Sequence, residues 1–327
     1  MTDAQTSLTQ HVQRIEAGAQ VVAAAFLDDQ ATLVLADGTA LIDERRVELH
    51  PDGAVLAATH DGKRLLTGGD DGRLVSLRAS GEPEVVAHEK GRWIDSVAMR
   101  GDVIAWSAGK EARARDAAGA VKSFTAPSSV RGIAIFPKGY RLALAHYNGV
   151  SLWFPNLAAE PTLLEWKGSH LDATISPDGR FLVTSMQEMA LHGWRLSDNR
   201  NMRMTGYPGK CRSLAWSHDG HWLATSGADA SVVWPFKDKD GPMGKAPREV
   251  GVRSARVTQV AFHPRALVVA VGYADGLVML CRLGDSAEIL VRPPGDGAVS
   301  ALSWDARGAR LLLGLDSGEA GLLTLPA

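Results

Sequence analysis

The residues best suited to chemistry in this chain are its ten histidines, its two cysteines and the carboxylates near them. The nearest approach to a metal-binding spacing is His218 and His221, within the tetrad HDGH. Two imidazoles are only a fragment of a site, because a catalytic zinc takes three protein ligands and keeps a fourth position open. His60, His218 and His263 each follow a short apolar strand, where a polar side chain serves a turn. Cys211 and Cys281 are far apart and have no CxxC or His spacing near them, so two buried thiols are expected. The run Gly68-Gly69-Asp70-Asp71-Gly72 is followed neither by Lys-Ser/Thr nor by a helix that could meet a phosphate. No GxSxG elbow and no HExxH pair occurs. No catalytic residue, no metal and no cofactor is therefore expected.

Charge narrows the partner classes. Lys and Arg number 35 against 37 Asp and Glu, a net charge of -2. A nucleic-acid binder ordinarily carries a basic excess, so nucleic acid is not an expected partner. Residues 1–5 are polar and lack the basic-then-apolar pattern of a secretory signal. No apolar run reaches the ~18–20 residues of a membrane span. The expectation is a cytoplasmic, monomeric protein that does not touch membranes.

The elements that would carry any site come from an internal repeat. CRSLAWSHDG (211–220) and HLDATISPDG (170–179) are alternating strands running into an Asp-Gly turn. Each is followed by a second strand, a polar turn and a third strand ending in Trp234 or Trp194. Similar units begin at Ala54, Val130, Val257 and Val299, with weaker ones at Val21 and Ile94, giving eight copies. Gly139, Gly179 and Gly220 mark the period. Between units lies a fourth strand, as at Val85–His88 or Ile289–Arg292. A sheet of this kind cannot bury both of its faces alone, so neighbours stack radially, and closure protects the edges. The last unit has no outer strand of its own. His11–Glu16 alternates like a strand and is expected to supply it.

These units resemble WD40 repeats across nearly the whole chain. The family's Trp is present as Trp153, Trp194 and Trp234, but Phe154, Arg195 and Pro235 follow where Asp would stand. The Gly-His dipeptide is missing, so the family's stiffening network of His, Asp, Ser/Thr and Trp is not expected in its usual form. The resemblance implies an all-β, closed propeller of four-stranded antiparallel blades. Eight blades are expected, with seven as the alternative. Residues 1–327 form one domain in this reading, and residues 1–18 include the strand that closes the last blade.

The resemblance also implies a function: a non-catalytic scaffold that binds a protein or peptide on the top face, at the mouth of the central channel. Aligning the repeats places Trp93, Lys210 and Arg256 on the rim, Asp95, Arg131 and Arg212 at the channel mouth, and Asp70 and Tyr147 in turns. Arg131, Lys210, Arg212 and Arg256 point to an acidic segment in the partner, with Trp93 as the aromatic anchor. A second candidate is the loop Phe236–Pro247, longer than an ordinary turn. The alternative reading is a ligand-binding or metal-dependent, hydrolase-type propeller enzyme with its site in the channel. That reading needs three converging ligands, whereas the alignment offers Asp95 beside two arginines.

Overall fold

Apolar residues at every second position, cut by Asp-Gly turns, leave this chain little choice but short antiparallel strands. The computed structural model describes residues 7–326. The polar residues 1–5 and Ala327 lie outside the described residues.

One repeat illustrates the others. Val55–His60, Arg64–Gly69, Arg73–Arg78 and Glu84–His88 pair in sequence order. The Asp61 carboxylate accepts the backbone N–H groups of Lys63 and Arg64 at 2.9 and 2.7 Å, and Gly62 takes a φ of +85°. A side chain at a positive φ would be strained, which is why glycine closes this turn. Burial changes across the sheet. The second strand is buried at five of its six positions, Thr67 included, because both faces are covered. The fourth strand has no buried position, although Val85, Val86 and Ala87 are apolar, because it lies at the sheet's edge.

Sheets approach one another closely at a recurring glycine. A Cβ on Gly68 would lie 2.5 Å from Ile94, one on Gly272 2.4 Å from Val299, and one on Gly314 2.3 Å from Val21. In each case the partner is the apolar residue that opens another repeat's first strand. The Thr-Gly-Gly, Val-Gly-Tyr and Leu-Gly-Leu triplets are thus packing signals.

Among the described residues the strands form seven hydrogen-bonded sheets, six of four strands and one of six. The expected eight separate blades are corrected to seven sheets. The cause is the strand Thr162–Ile175, 14 residues long. Its first half pairs with Gly149–Leu152, and its second half pairs with Leu182–Met186. Lys167-Gly168-Ser169 carries the strand on from one half to the other through a bend at Gly168, φ +129°, so two repeats share one sheet. Leu142–Trp153 folds back at Tyr147-Asn148-Gly149, where Asn148 takes a φ of +67° and His146 reaches the Ser151 hydroxyl at 2.9 Å.

The chain divides into two compact units, Met1–Leu35 with Leu41–Arg45 and Tyr207–Ala327, and Ala36–Ala40 with Arg46–Gly206. In the first unit, Val12–Glu16 pairs antiparallel with Glu319–Thr324, Val12 opposite Leu323 and Ile15 opposite Ala320. The N-terminal segment is therefore the outer strand of the last repeat's sheet. Val21, Phe26, Leu33 and Leu35 pack with Ala301, Leu312 and Ala320, so the last repeat meets the first. Val257, Val269, Val271, Tyr273 and Met279 build a second core in this unit. The second unit is held by Leu142, Leu144 and Trp153 in one cluster, and by Leu152, Leu182 and Trp194 in another. Both cysteines are buried. No helix among the described residues is long and apolar enough to cross a membrane.

Candidate functional site

The turn that follows a second strand is the local device that positions the candidate residues. Asp70 sits in such a turn, and its carboxylate accepts the N–H of Ala54, at the head of the same repeat's first strand, at 2.7 Å. Asp316 does the same for Ala298 at 2.7 Å, and the Ser226 hydroxyl serves Arg212 and Ser213 at 3.1 and 3.0 Å. Tyr147 donates its own N–H to the Ser128 hydroxyl at 2.9 Å. Each polar side chain ties a turn to the start of a first strand, so the residues just before and after that start are held in place.

Three side-chain groups from the predicted set emerge, two in the second unit and one in the first. In the second unit, Trp93 is 65% exposed, which is unusual for the largest apolar side chain. It lines a cleft of about 600 Å³ with Arg92, Asp95, Lys110, Glu111 and Ser129. Asp95 forms an ion pair with Arg131, the latter half-exposed. Local charge at this cleft is balanced. Its special property is an apolar ring standing in water above a fixed polar floor.

Tyr147 is 54% exposed and belongs to a different pocket of about 390 Å³ with Trp166, Met186, Lys167, Glu188 and Arg203. Only Tyr147 of these is in the predicted set. The readable signal for Trp166 was its place as the last residue of an outer strand, next to Lys167-Gly168.

The first unit holds the cations. Arg212 and Arg256 are exposed and Lys210 is half-buried. The Arg256 guanidinium lies over Gly209, within 2.8 Å of where a Cβ would stand, and so beside Lys210 in the chain. None of the three has an ion-pair partner among the described residues. The structure thus brings Arg256 beside Lys210, with Arg212 two residues further along the chain. Asp70 is half-buried, and one of its oxygens is committed to Ala54.

The family-type network exists in altered form. His50 bonds to Thr67 at 2.9 Å and to Asp71 at 3.0 Å. His170 bonds to Thr184 at 2.7 Å. In the third case tyrosine stands in for histidine: Trp234 Nε1 donates to Tyr207 Oη at 2.7 Å, and Tyr207 bonds to Thr225 at 2.7 Å. Sequence inspection missed these because Leu49 and Ser169, not glycine, precede the histidines. The missed signal is the apolar-apolar-Thr ending shared by Leu66-Thr67, Val183-Thr184 and Ala224-Thr225.

Remaining chemistry is muted. His221 pairs with Asp219 at 3.2 Å and faces water. No group of three or more metal-ligating side chains occurs among the described residues. Burial, and then the Glu288 charge, pushes the Cys281 thiol up to about 12, far from a reactive thiolate. The loop Phe236–Pro247 is a folded knob: Phe236 is buried edge-on against Trp216 at 4.8 Å, and Lys245 pairs with Asp238. Arg248–Val250 then supplies the outer strand.

Comparison with known proteins agrees with this architecture. The family described as "WD domain, G-beta repeat" matches residues 199–234, the repeat that holds the Tyr207–Thr225–Trp234 relay. The chain is similar to Protein HIR1 of Cryptococcus neoformans var. neoformans, 28% identical over 221 residues, covering 56% of this chain and 25% of that protein. The chain thus spans about a quarter of that relative. Among solved structures, it resembles the computationally designed Ika8 protein with a TM-score of 0.77 and 15% identity, covering 94% and 96% of the two chains. It also resembles the Pan2 WD40 domain of Neurospora crassa with a TM-score of 0.67 and 13% identity, covering 85% and 92%. At these identities the structural likeness speaks for the fold alone.

Proposed function

We propose that this chain, which belongs to the WD40-repeat β-propeller family, is a non-catalytic scaffold that holds a protein or peptide partner through the turns around Trp93. The observation that carries this reading is Trp93 itself: 65% exposed, over a cleft whose Asp95–Arg131 pair is already satisfied. An exposed Trp on a rigid polar floor is the ordinary form of a binding hot spot, with area ready to be desolvated and little entropy to lose. Within the first unit, Lys210, Arg212 and Arg256, which have no ion-pair partner among the described residues, favour a partner with an acidic segment. The same reading keeps the sequence-based expectation of a cytoplasmic location.

The test is capture of partners from a lysate of the native host by wild type and by Trp93→Ala, identified by mass spectrometry. Both proteins must melt at the same temperature, which the exposure of Trp93 favours. A partner held by wild type and weakened about 30-fold or more by the variant is the expected result, since truncating a Trp hot spot costs roughly 2 kcal/mol or more. A partner held equally by both removes Trp93 from the site. Substrate turnover by the purified chain would overturn the scaffold reading.

A further inference from the structure

The pocket beside Tyr147 is built more completely than a partner face requires. Trp166 forms one wall. Its ring stacks on His192 at 4.0 Å with an angle of 16°, and Trp194 braces His192 edge-on at 4.6 Å. His192 is fully buried and neither ring nitrogen has a partner. Burial, then the nearby His170 and Arg203 charges, lowers it to about 3, so it stays neutral. Trp166 is therefore backed by an uncharged ring and held flat. Tyr147 and the buried Met186 supply further apolar wall.

The backbone around the pocket is fixed. Gly168 takes a φ of +129°, at which a side chain would be strained, and a Cβ there would displace the ends of Met186 and Glu188, at 2.6 and 3.0 Å. Asn148 accepts the Gly168 N–H at 3.2 Å. Both Glu188 oxygens accept the Ser169 N–H, at 3.1 and 3.3 Å. Glu188 is thus engaged by the protein, whereas Lys167 and Arg203, both exposed, have no carboxylate partner among the described residues. The pocket carries two cations against one pinned anion. That balance excludes a cationic side chain and leaves one positive charge to be met.

We propose that this pocket sets the specificity of the scaffold, receiving an aromatic side chain of a partner segment whose adjacent residue is Asp or Glu. Aromatic walls at Tyr147 and Trp166 suit a flat apolar ring. Lys167 and Arg203 on the rim suit the neighbouring carboxylate. Cations beside aromatic rings also suit a single-stranded nucleic acid, but the pinned Glu188 and the net charge of -2 disfavour a run of phosphates. The proposal rests on the scaffold reading above.

The experiment pans a random dodecapeptide phage library on the full chain, immobilised, as wild type, Tyr147→Ala, Lys167→Gln/Arg203→Gln and Trp93→Ala. Selected peptides are then synthesised, and their affinity is measured by fluorescence anisotropy. Wild type should enrich an aromatic residue next to Asp or Glu. The double Gln variant should keep the aromatic preference, lose the acidic one and weaken the peptides about tenfold, in line with ~1.4 kcal/mol for a solvated charge contact. Tyr147→Ala should lose the aromatic preference and weaken them about 30-fold. Peptides that ignore Tyr147→Ala yet fail on Trp93→Ala would overturn the pocket and leave the scaffold face standing. No enrichment on wild type would overturn both. Binding of a uridine dodecanucleotide that Tyr147→Ala abolishes would assign the pocket to nucleic acid and overturn the peptide assignment.

Discussion

Replacing Tyr207 by Phe removes one oxygen atom and should cost about 3 kcal/mol of stability. The hydroxyl lies in a directional relay. Trp234 Nε1–H donates to it at 2.7 Å, it bonds to Thr225 at 2.7 Å, and Thr225 donates to the Val232 carbonyl at 2.8 Å. Trp234 and Tyr207 are 8% and 7% exposed, and Thr225 is fully buried. In the variant the indole N–H has lost its acceptor and water cannot replace it. An orphaned buried donor costs about 1–3 kcal/mol, and the lost bond to Thr225 adds about 1. Phe fills the same volume, so no cavity term enters. Thr225→Val should cost about 2 kcal/mol, because it leaves the Val232 carbonyl to its strand partner and Tyr207 without its acceptor. Since the two residues share one relay, the double variant should cost at least ~1 kcal/mol less than the sum of the singles. Urea unfolding followed by circular dichroism measures all four proteins. A Tyr207→Phe midpoint within about 0.5 kcal/mol of wild type, or strict additivity, would refute the relay as a stabilising unit.

Two further outcomes follow from burial. His192 stays neutral down to about 3 in the folded chain, while an unfolded histidine takes its proton near 6.5. The unfolded state then binds more protons between those values, so stability is full above pH 6.5 and falls as the pH drops through that window. The loss from this group reaches at most about 2 kcal/mol at pH 5, and His192→Phe should flatten the slope of stability against pH. Val12 packs against the cluster of Leu311, Leu313, Leu315 and Leu323, whereas its neighbour Gln13 is exposed. Val12→Asp should therefore lower the urea midpoint by about 2 kcal/mol and Gln13→Asp by less than about 0.5; equal effects would mean that the N-terminal strand is not part of the folded unit.

The fold was legible because period-2 alternation and Asp-Gly turns act locally, and each repeat states them anew. The N-terminal strand was legible because His11–Glu16 alternates like a strand, and Val12–Glu16 pairs with the last repeat's third strand. Sheet count was not legible. Whether Lys167-Gly168-Ser169 ends the strand or carries it on depends on the φ of Gly168 and on the Ser169–Glu188 contact, neither of which a repeat pattern encodes. Among candidate residues, Trp93 and Asp95 line one cleft as their adjacency allowed, and Arg256 lies beside Lys210. The Tyr147 pocket was half visible, since Trp166 and Arg203 enter it from strands separated from Tyr147 in sequence.

Asp70 shows why turn residues mislead when they are read singly. Its charge and its position both suit a partner, yet one oxygen is spent on Ala54 N–H, as Asp316 is on Ala298 and Ser226 on Arg212 and Ser213. A side chain that caps a strand start leaves a polar backbone group unsatisfied if it swings out to a ligand. Recognition in the second unit therefore falls to side chains whose hydrogen bonds are unspent or which make none: the exposed rings of Trp93 and Tyr147, and the cations of Lys167 and Arg203. The capped turns hold these side chains still, and that stillness lets an exposed Trp act as an anchor instead of an aggregation hazard. The repeat thus divides its polar residues between holding the face and displaying it, and the display set can vary from repeat to repeat without cost to the fold.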